Sequence, residues 1–170
     1  MTMKKMFLAL VLALMTAGIA SAQNYMVVDS EKVFKSVSAY NEALDSLEKL
    51  AESYQQKVDA KFQEVEQLYN NYMQLRGSLS ESSRQQYEQR ILQLEAEATE
   101  YQESLFGTEG ELMKQRVALI QPIQERVFGT IESFSKQYGY DLVIDIAANP
   151  TVLYYSSKVD FTDAIIKALK

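Results

Sequence analysis

The stretch VEQLYNNYMQLRGSLSESSRQQYEQRI, residues 65–91, decides how this chain is built. Upstream and into it, Val33, Val37, Tyr40, Leu44, Leu47, Ala51, Tyr54, Val58, Phe62, Val65, Tyr69 and Tyr72 follow one another by threes and fours. A second stripe, Tyr87, Ile91, Leu94, Ala98, Tyr101, Leu105, Thr108 and Leu112, does the same. A mean step of about 3.5 is the coiled-coil period, so each stripe predicts an amphipathic helix. Between them, Gly77 is placed to end one helix and Ser78 to cap the next, with Glu81 as the capping-box partner. The chain therefore reverses near 77–80, and residues 38–119 are expected to form an antiparallel helical hairpin. An arm from Ser38 to Arg76 would reach roughly 58 Å at about 1.5 Å per residue. A compact chain of this size has a radius of gyration of only about 15 Å, so the hairpin is expected to project.

Outward from the hairpin, the amino terminus reads as an export signal. Lys4 and Lys5 precede the apolar run Met6–Ala17, and Ala20-Ser21-Ala22 is a small-residue cleavage pattern. Residues 1–22 are thus expected to be a signal peptide cleaved after Ala22, which places the protein in the periplasm without a stable membrane anchor; a retained anchor is the lesser reading. The chain has no cysteine, which excludes a lipidated cysteine and any disulfide framework. Losing Lys4 and Lys5 takes the 17 basic residues to 15 against 23 acidic ones, a mature net charge of −8. Such a chain has no general electrostatic attraction to nucleic acid or anionic lipid. With only 2 prolines and 6 glycines and no flexible linker, one continuous architecture is expected.

Residues 23–37 and 120–170 supply a β-rich body. Tyr25–Val28 and Asp141–Asp145 read as strands, the second entered after the helix stop Tyr138-Gly139. Asn149-Pro150 makes a turn, Thr151–Tyr155 reads as a third strand, and Asp160–Asp163 caps a terminal helix. Three short strands enclose no core alone. Val27, Leu142, Ile144, Val152 and Tyr154 are therefore candidates for contact with other subunits. The fold class is α+β: a small barrel-type β body assembled from several subunits, with one long coiled-coil hairpin on each.

Six of the 11 tyrosines (Tyr40, Tyr54, Tyr69, Tyr72, Tyr87, Tyr101) fall on the seam, where Leu, Ile or Val would pack more tightly. The favoured reading keeps each ring in the seam with its hydroxyl at the edge. The alternative has some rings lining an open surface that adapts to unfolded polypeptide. Tyr54, Tyr69, Tyr72, Met73, Arg76, Leu79, Arg84 and Tyr87 are the candidate contacts for such a client. Gly107 and Gly110 sit inside the second stripe and Pro122 lies beyond it, so all three are hinge candidates. For the glycines, close helix packing is the competing explanation.

Asp29-Ser30-Glu31-Lys32-Val33-Phe34 after a first strand, the heptad hairpin, Gly139–Asp145, Leu153-Tyr154-Tyr155 and Val159-Asp160-Phe161-Thr162 before a last helix occur in the order that resembles the Skp (OmpH-like) periplasmic chaperones. The likeness spans the mature chain. It implies a homotrimer with a central β-barrel body and three helical tentacles that hold unfolded outer-membrane proteins without ATP. One departure is charge: members of that family are often basic, whereas this chain is acidic. Around the tip, residues 70–92 carry Arg76, Arg84 and Arg90 against Glu81 and Glu88, but no Lys/Arg cluster carries over the family's lipopolysaccharide site.

No catalytic, metal or cofactor site is expected. There is no histidine or cysteine, no Gly-x-Ser-x-Gly turn and no phosphate-binding glycine loop. Asp29, Asp141, Asp145 and Asp160 near strand ends read as caps and turn residues rather than as a carboxylate pair or Ca²⁺ site. The main rival to a holding chaperone is an envelope adaptor whose hairpin docks on a folded partner's coiled coil. That reading requires a closed, well-packed seam.

Overall fold

A computed structural model describes residues 24–147 and 149–170; the expected signal peptide lies outside the described residues. The chain divides into two compact units, one joining the described residues up to Ser36 to Val127–Lys170, the other running Val37–Arg126.

In the first unit, strand β1 (Tyr25–Val28) is followed by the short helix α1 (Ser30–Lys35). Asp29 caps α1, its carboxylate accepting the Lys32 N–H at 3.0 Å and pairing with the Lys32 ammonium at 3.1 Å. The amide bond holds the Asp29 carboxyl below its ordinary range, the first-turn preference of an acid at a helix start. Strand β2 (Leu142–Asp145) lies parallel to β1, with Tyr25 opposite Leu142 and Val28 opposite Asp145. Helix α4 (Glu111–Tyr138) reaches this unit at its carboxyl end. It stops as expected at Gly139, whose φ of 72° suits a residue without Cβ, while the Tyr140 N–H returns to the Ser135 carbonyl at 2.9 Å. The terminal helix α5 (Thr162–Ala168) packs on α1 and β1.

Met26, Val27, Val28, Val33, Val127 and Ile165 form the core of this unit, each 2 % exposed or less. Three successive buried residues in β1 mean that both faces of that strand are covered, as in a central strand. Asp145 and Asp160, near the strand ends, accept backbone and hydroxyl hydrogen bonds. Asp145 accepts the Ser30 and Ala147 N–H groups at 3.1 and 3.0 Å, and Asp160 accepts the Thr162 N–H at 3.0 Å.

The third strand does not form. Asn149 accepts the Thr151 N–H at 3.2 Å in a side-chain turn, a 3₁₀ turn follows at Ser157–Val159, and residues 152–155 join no ladder. The side of β1 away from β2 is met instead by Asp160, in an isolated bridge to Val27, and by Phe161, whose N–H reaches the Val27 carbonyl at 3.0 Å. The run has β propensity, but within this chain it pairs neither with β1, whose outer side is taken, nor with the free edge of β2.

In the second unit, α2 (Ser38–Leu75) and α3 (Glu81–Phe106) pack on each other as an antiparallel pair. Three cross-helix pairs set the register: Tyr54 meets Phe106 edge to face at 6.3 Å, Lys61 lies over the Tyr101 ring at 5.7 Å, and Tyr72 stacks on Tyr87 at 5.8 Å. Ser80, not Ser78, caps α3, accepting the Ser83 N–H at 3.2 Å. Ser78 closes α2 instead, its N–H and hydroxyl both donating to the Leu75 carbonyl at 2.9 and 2.8 Å. Either serine can serve as a cap, and the one outside the last turn of α2 does so.

The second stripe is two helices, not one. α3 ends at Phe106 and α4 begins at Glu111, so Gly107 and Gly110 do not sit within a helix. A Cβ on Gly107 would lie 2.5 Å from the Glu103 carbonyl oxygen, and one on Gly110 would lie 2.8 Å from backbone atoms of Leu105 and Gly107. Close backbone approach therefore accounts for both glycines. Pro122 lies inside α4, and the helix continues through it.

Candidate functional site

The surface offered by the hairpin follows from where its apolar stripe faces. In α3 the stripe matches the burial: Ala98 and Leu105 are buried, and Ile91, Leu94 and Tyr101 half-buried. In α2 it drifts. Val58 is 1 % exposed, but Leu44, Phe62 and Tyr69 are 42, 36 and 49 % exposed, and Ala43 takes the inward position beside Leu44. A repeat of 3.5 slips about 20° per heptad on a helix of 3.6 residues per turn, so a long stripe cannot stay on one seam without supercoiling.

Near the turn, Tyr72 is a seam anchor and not a surface residue. It is buried, stacked on Tyr87 with 22° between ring planes, and its hydroxyl donates to the Glu88 carboxylate. That bond favours the neutral phenol and raises the Tyr72 pKa above the ordinary tyrosine value. Tyr54 is half-buried between Phe106 and Lys57, whose ammonium lies 5.6 Å from its ring. Tyr69 and Met73, one helical turn apart, are both about half exposed, and Leu75, on another face of α2, is 44 % exposed. Arg76 is exposed, its carbonyl accepting the Arg84 Nε–H at 3.1 Å, and Leu79 is half-buried in the turn. Of the candidate contacts, Tyr69, Met73 and Arg76 present surface, while Tyr72, Tyr54 and Tyr87 belong largely to the seam. Sequence reasoning passed over Leu75 and Leu92, the latter 65 % exposed. The signal for Leu92 was available: it is a leucine outside the stripe.

In the β-containing unit, Val27 is 2 % exposed and belongs to its own subunit's core, so its side chain is removed from the oligomerisation candidates. Ile144 and Val152 are half-buried, whereas Leu142 and Tyr154 are 55 and 86 % exposed. Leu153, next to Tyr154 in the unpaired run, is 94 % exposed. β2 pairs only with β1 among the described residues, which leaves its other edge open. Open edges and bare apolar side chains are what protein association covers.

Among the described residues, no group of three or more His, Cys, Asp or Glu side chains is placed to hold a metal ion, and no helix is long and apolar enough to cross a membrane. A family model described as outer membrane protein (OmpH-like) matches residues 24–169. A protein of Aquifex aeolicus (strain VF5), described as uncharacterized, is 28 % identical over 169 residues, covering 98 % of this chain and 96 % of its own length.

Proposed function

The chain belongs to the OmpH-like outer membrane protein family, whose members have a periplasmic chaperone-type role, and on that premise we propose that it is an ATP-independent holding chaperone for unfolded outer-membrane proteins. The observation that carries this reading is the hairpin surface: Phe62, Tyr69, Met73, Leu75 and Leu92, each 36–65 % exposed, stand among charged and amide side chains rather than in one deep site. Scattered apolar contacts of this kind bind weakly and without a fixed partner shape. Several arms brought to one client add those contacts by effective concentration, which gives retention with easy release. An unfolded membrane strand presents the matching apolar side chains and unpaired backbone groups. The trimer belongs to this proposal, with the open β2 edge, Leu142 and Tyr154 as its points of assembly.

The adaptor reading draws support from the closed seam at the turn, where the Tyr72–Tyr87 stack and the Glu88 hydrogen bond lock the helices together. The two readings separate on client state. A fluorescently labelled outer-membrane β-barrel protein, diluted from urea, is expected to bind, and the same protein folded in detergent is not. Equal binding of both forms, or of neither, contradicts the chaperone reading.

A further inference from the structure

Two cavities meet where α3 gives way to α4. One, of about 490 Å³, is floored by Leu44, Leu47, Phe106, Leu112 and Met113, with Glu48 and Arg116 on its walls. Its size falls within the range of small-ligand and side-chain pockets. The floor is open: Leu44, Phe106 and Met113 are 42, 36 and 44 % exposed. The other cavity, of about 460 Å³, is lined by Glu100, Glu103 and Glu109 with Lys114, and it shares Gly107 and Thr108 with the first. The Gly107–Gly110 break makes both, because it interrupts a helix that would otherwise run smoothly past the site.

The second cavity is net negative, with three carboxylates against Lys114, while Glu48 and Arg116 offset each other in the first. Glu95, Glu97, Glu100, Glu103, Glu109 and Glu111 fall between Arg90 and Lys114 with no Lys or Arg among them. Among the described residues, Glu100, Glu103 and Glu109 have no ion-pair partner. An apolar pocket next to a net-negative cavity favours an apolar group with a cation close by, since electrostatic complementarity sets which partner is admitted. A segment carrying acids meets like charge and is turned away.

We propose that this junction is a client subsite that takes an unfolded segment in which an apolar side chain is flanked by Lys or Arg. The proposal rests on the chaperone reading and sharpens it. The hairpin then chooses basic–apolar segments, the reverse of capture by positive arms. An extended segment puts residues two apart on one face, about 7 Å from each other, so an apolar side chain and a cation two positions away reach the two cavities together.

The test uses the purified protein and three labelled, unstructured Gly/Ser peptides: one with Leu flanked by Lys, one with Leu flanked by Glu, and one with Ser flanked by Lys. By anisotropy the Leu/Lys peptide is expected to bind roughly tenfold tighter than either other, and the preference over Leu/Glu shrinks as ionic strength rises from about 0.05 to about 0.5 M. The triple substitution Glu100→Gln, Glu103→Gln, Glu109→Gln, all at exposed positions, is expected to erase the preference over Leu/Glu, and Met113→Gln to weaken both leucine peptides. Equal affinity for Leu/Lys and Leu/Glu, or a preference that survives the triple substitution, overturns the proposal. If Met113→Gln lowers the assembly mass and leaves peptide affinity unchanged, the groove is a contact between copies of the chain and the proposal is also overturned. Failure of the chaperone reading is scored apart, by whether the unsubstituted protein keeps a denatured outer-membrane protein from aggregating.

Discussion

Tyr72 shows how one side chain sets the character of the turn end. On the sequence it is one of six seam tyrosines, and nothing in its spacing distinguishes it from Tyr69 three residues earlier. In the structure Tyr72 is 4 % exposed and Tyr69 is 49 %, because only Tyr72 has a ring to stack on and a carboxylate across the seam. Cross-helix partners are invisible to periodicity, so spacing alone does not separate the seam tyrosines from the exposed ones. Since the hydrogen bond to Glu88 raises the Tyr72 pKa, its stabilising effect is full below the ordinary tyrosine value of about 10 and is lost as pH rises through the raised folded value. Tyr72→Phe keeps the stack and removes the bond. It is expected to lower the melting temperature by a few degrees near neutral pH, with the gap to the unsubstituted protein closing above about pH 10. A gap that is unchanged in alkali contradicts this account.

At the level of elements, the hairpin, its turn and both strands at Tyr25–Val28 and near Leu142 were legible because their signals are local: heptad spacing, a Gly/Ser turn and β-branched runs. The break after Phe106 was not. Two glycines in a periodic stripe signal a weak point, but whether the helix bends, hinges or stops depends on how close the backbone comes to itself. Here a methyl group at Gly107 has only 2.5 Å to the Glu103 oxygen. Gly107→Ala and Gly110→Ala are each expected to destabilise the protein by about 1–3 kcal/mol, as overpacking does, measured by urea unfolding. If the glycines serve as free hinges, alanine leaves stability unchanged or raises it. The missing third strand was not legible either: Thr151–Tyr155 has strand composition, but Asp160 and Phe161 already meet β1 at Val27, and within this chain the run does not pair with the free edge of β2.

For the whole molecule, incompleteness is the main physical fact. A two-stranded parallel sheet is marginal in isolation; this one leaves an open edge, and Leu153 and Tyr154 in the unpaired run are almost bare. The proposed assembly with other copies would cover both features. In the proposed assembly, acidic arms of like charge repel one another at low ionic strength and stay apart unless a client bridges them. The central claim is that the assembled protein holds unfolded outer-membrane proteins. It is tested most directly by diluting a urea-denatured outer-membrane β-barrel protein into increasing amounts of this protein, following aggregation by light scattering and the mass of the soluble complex by multi-angle scattering. Suppression that saturates near one trimer per client, with a complex of matching mass, is the predicted result. A stable oligomer that leaves the client to aggregate at its unassisted rate contradicts the account.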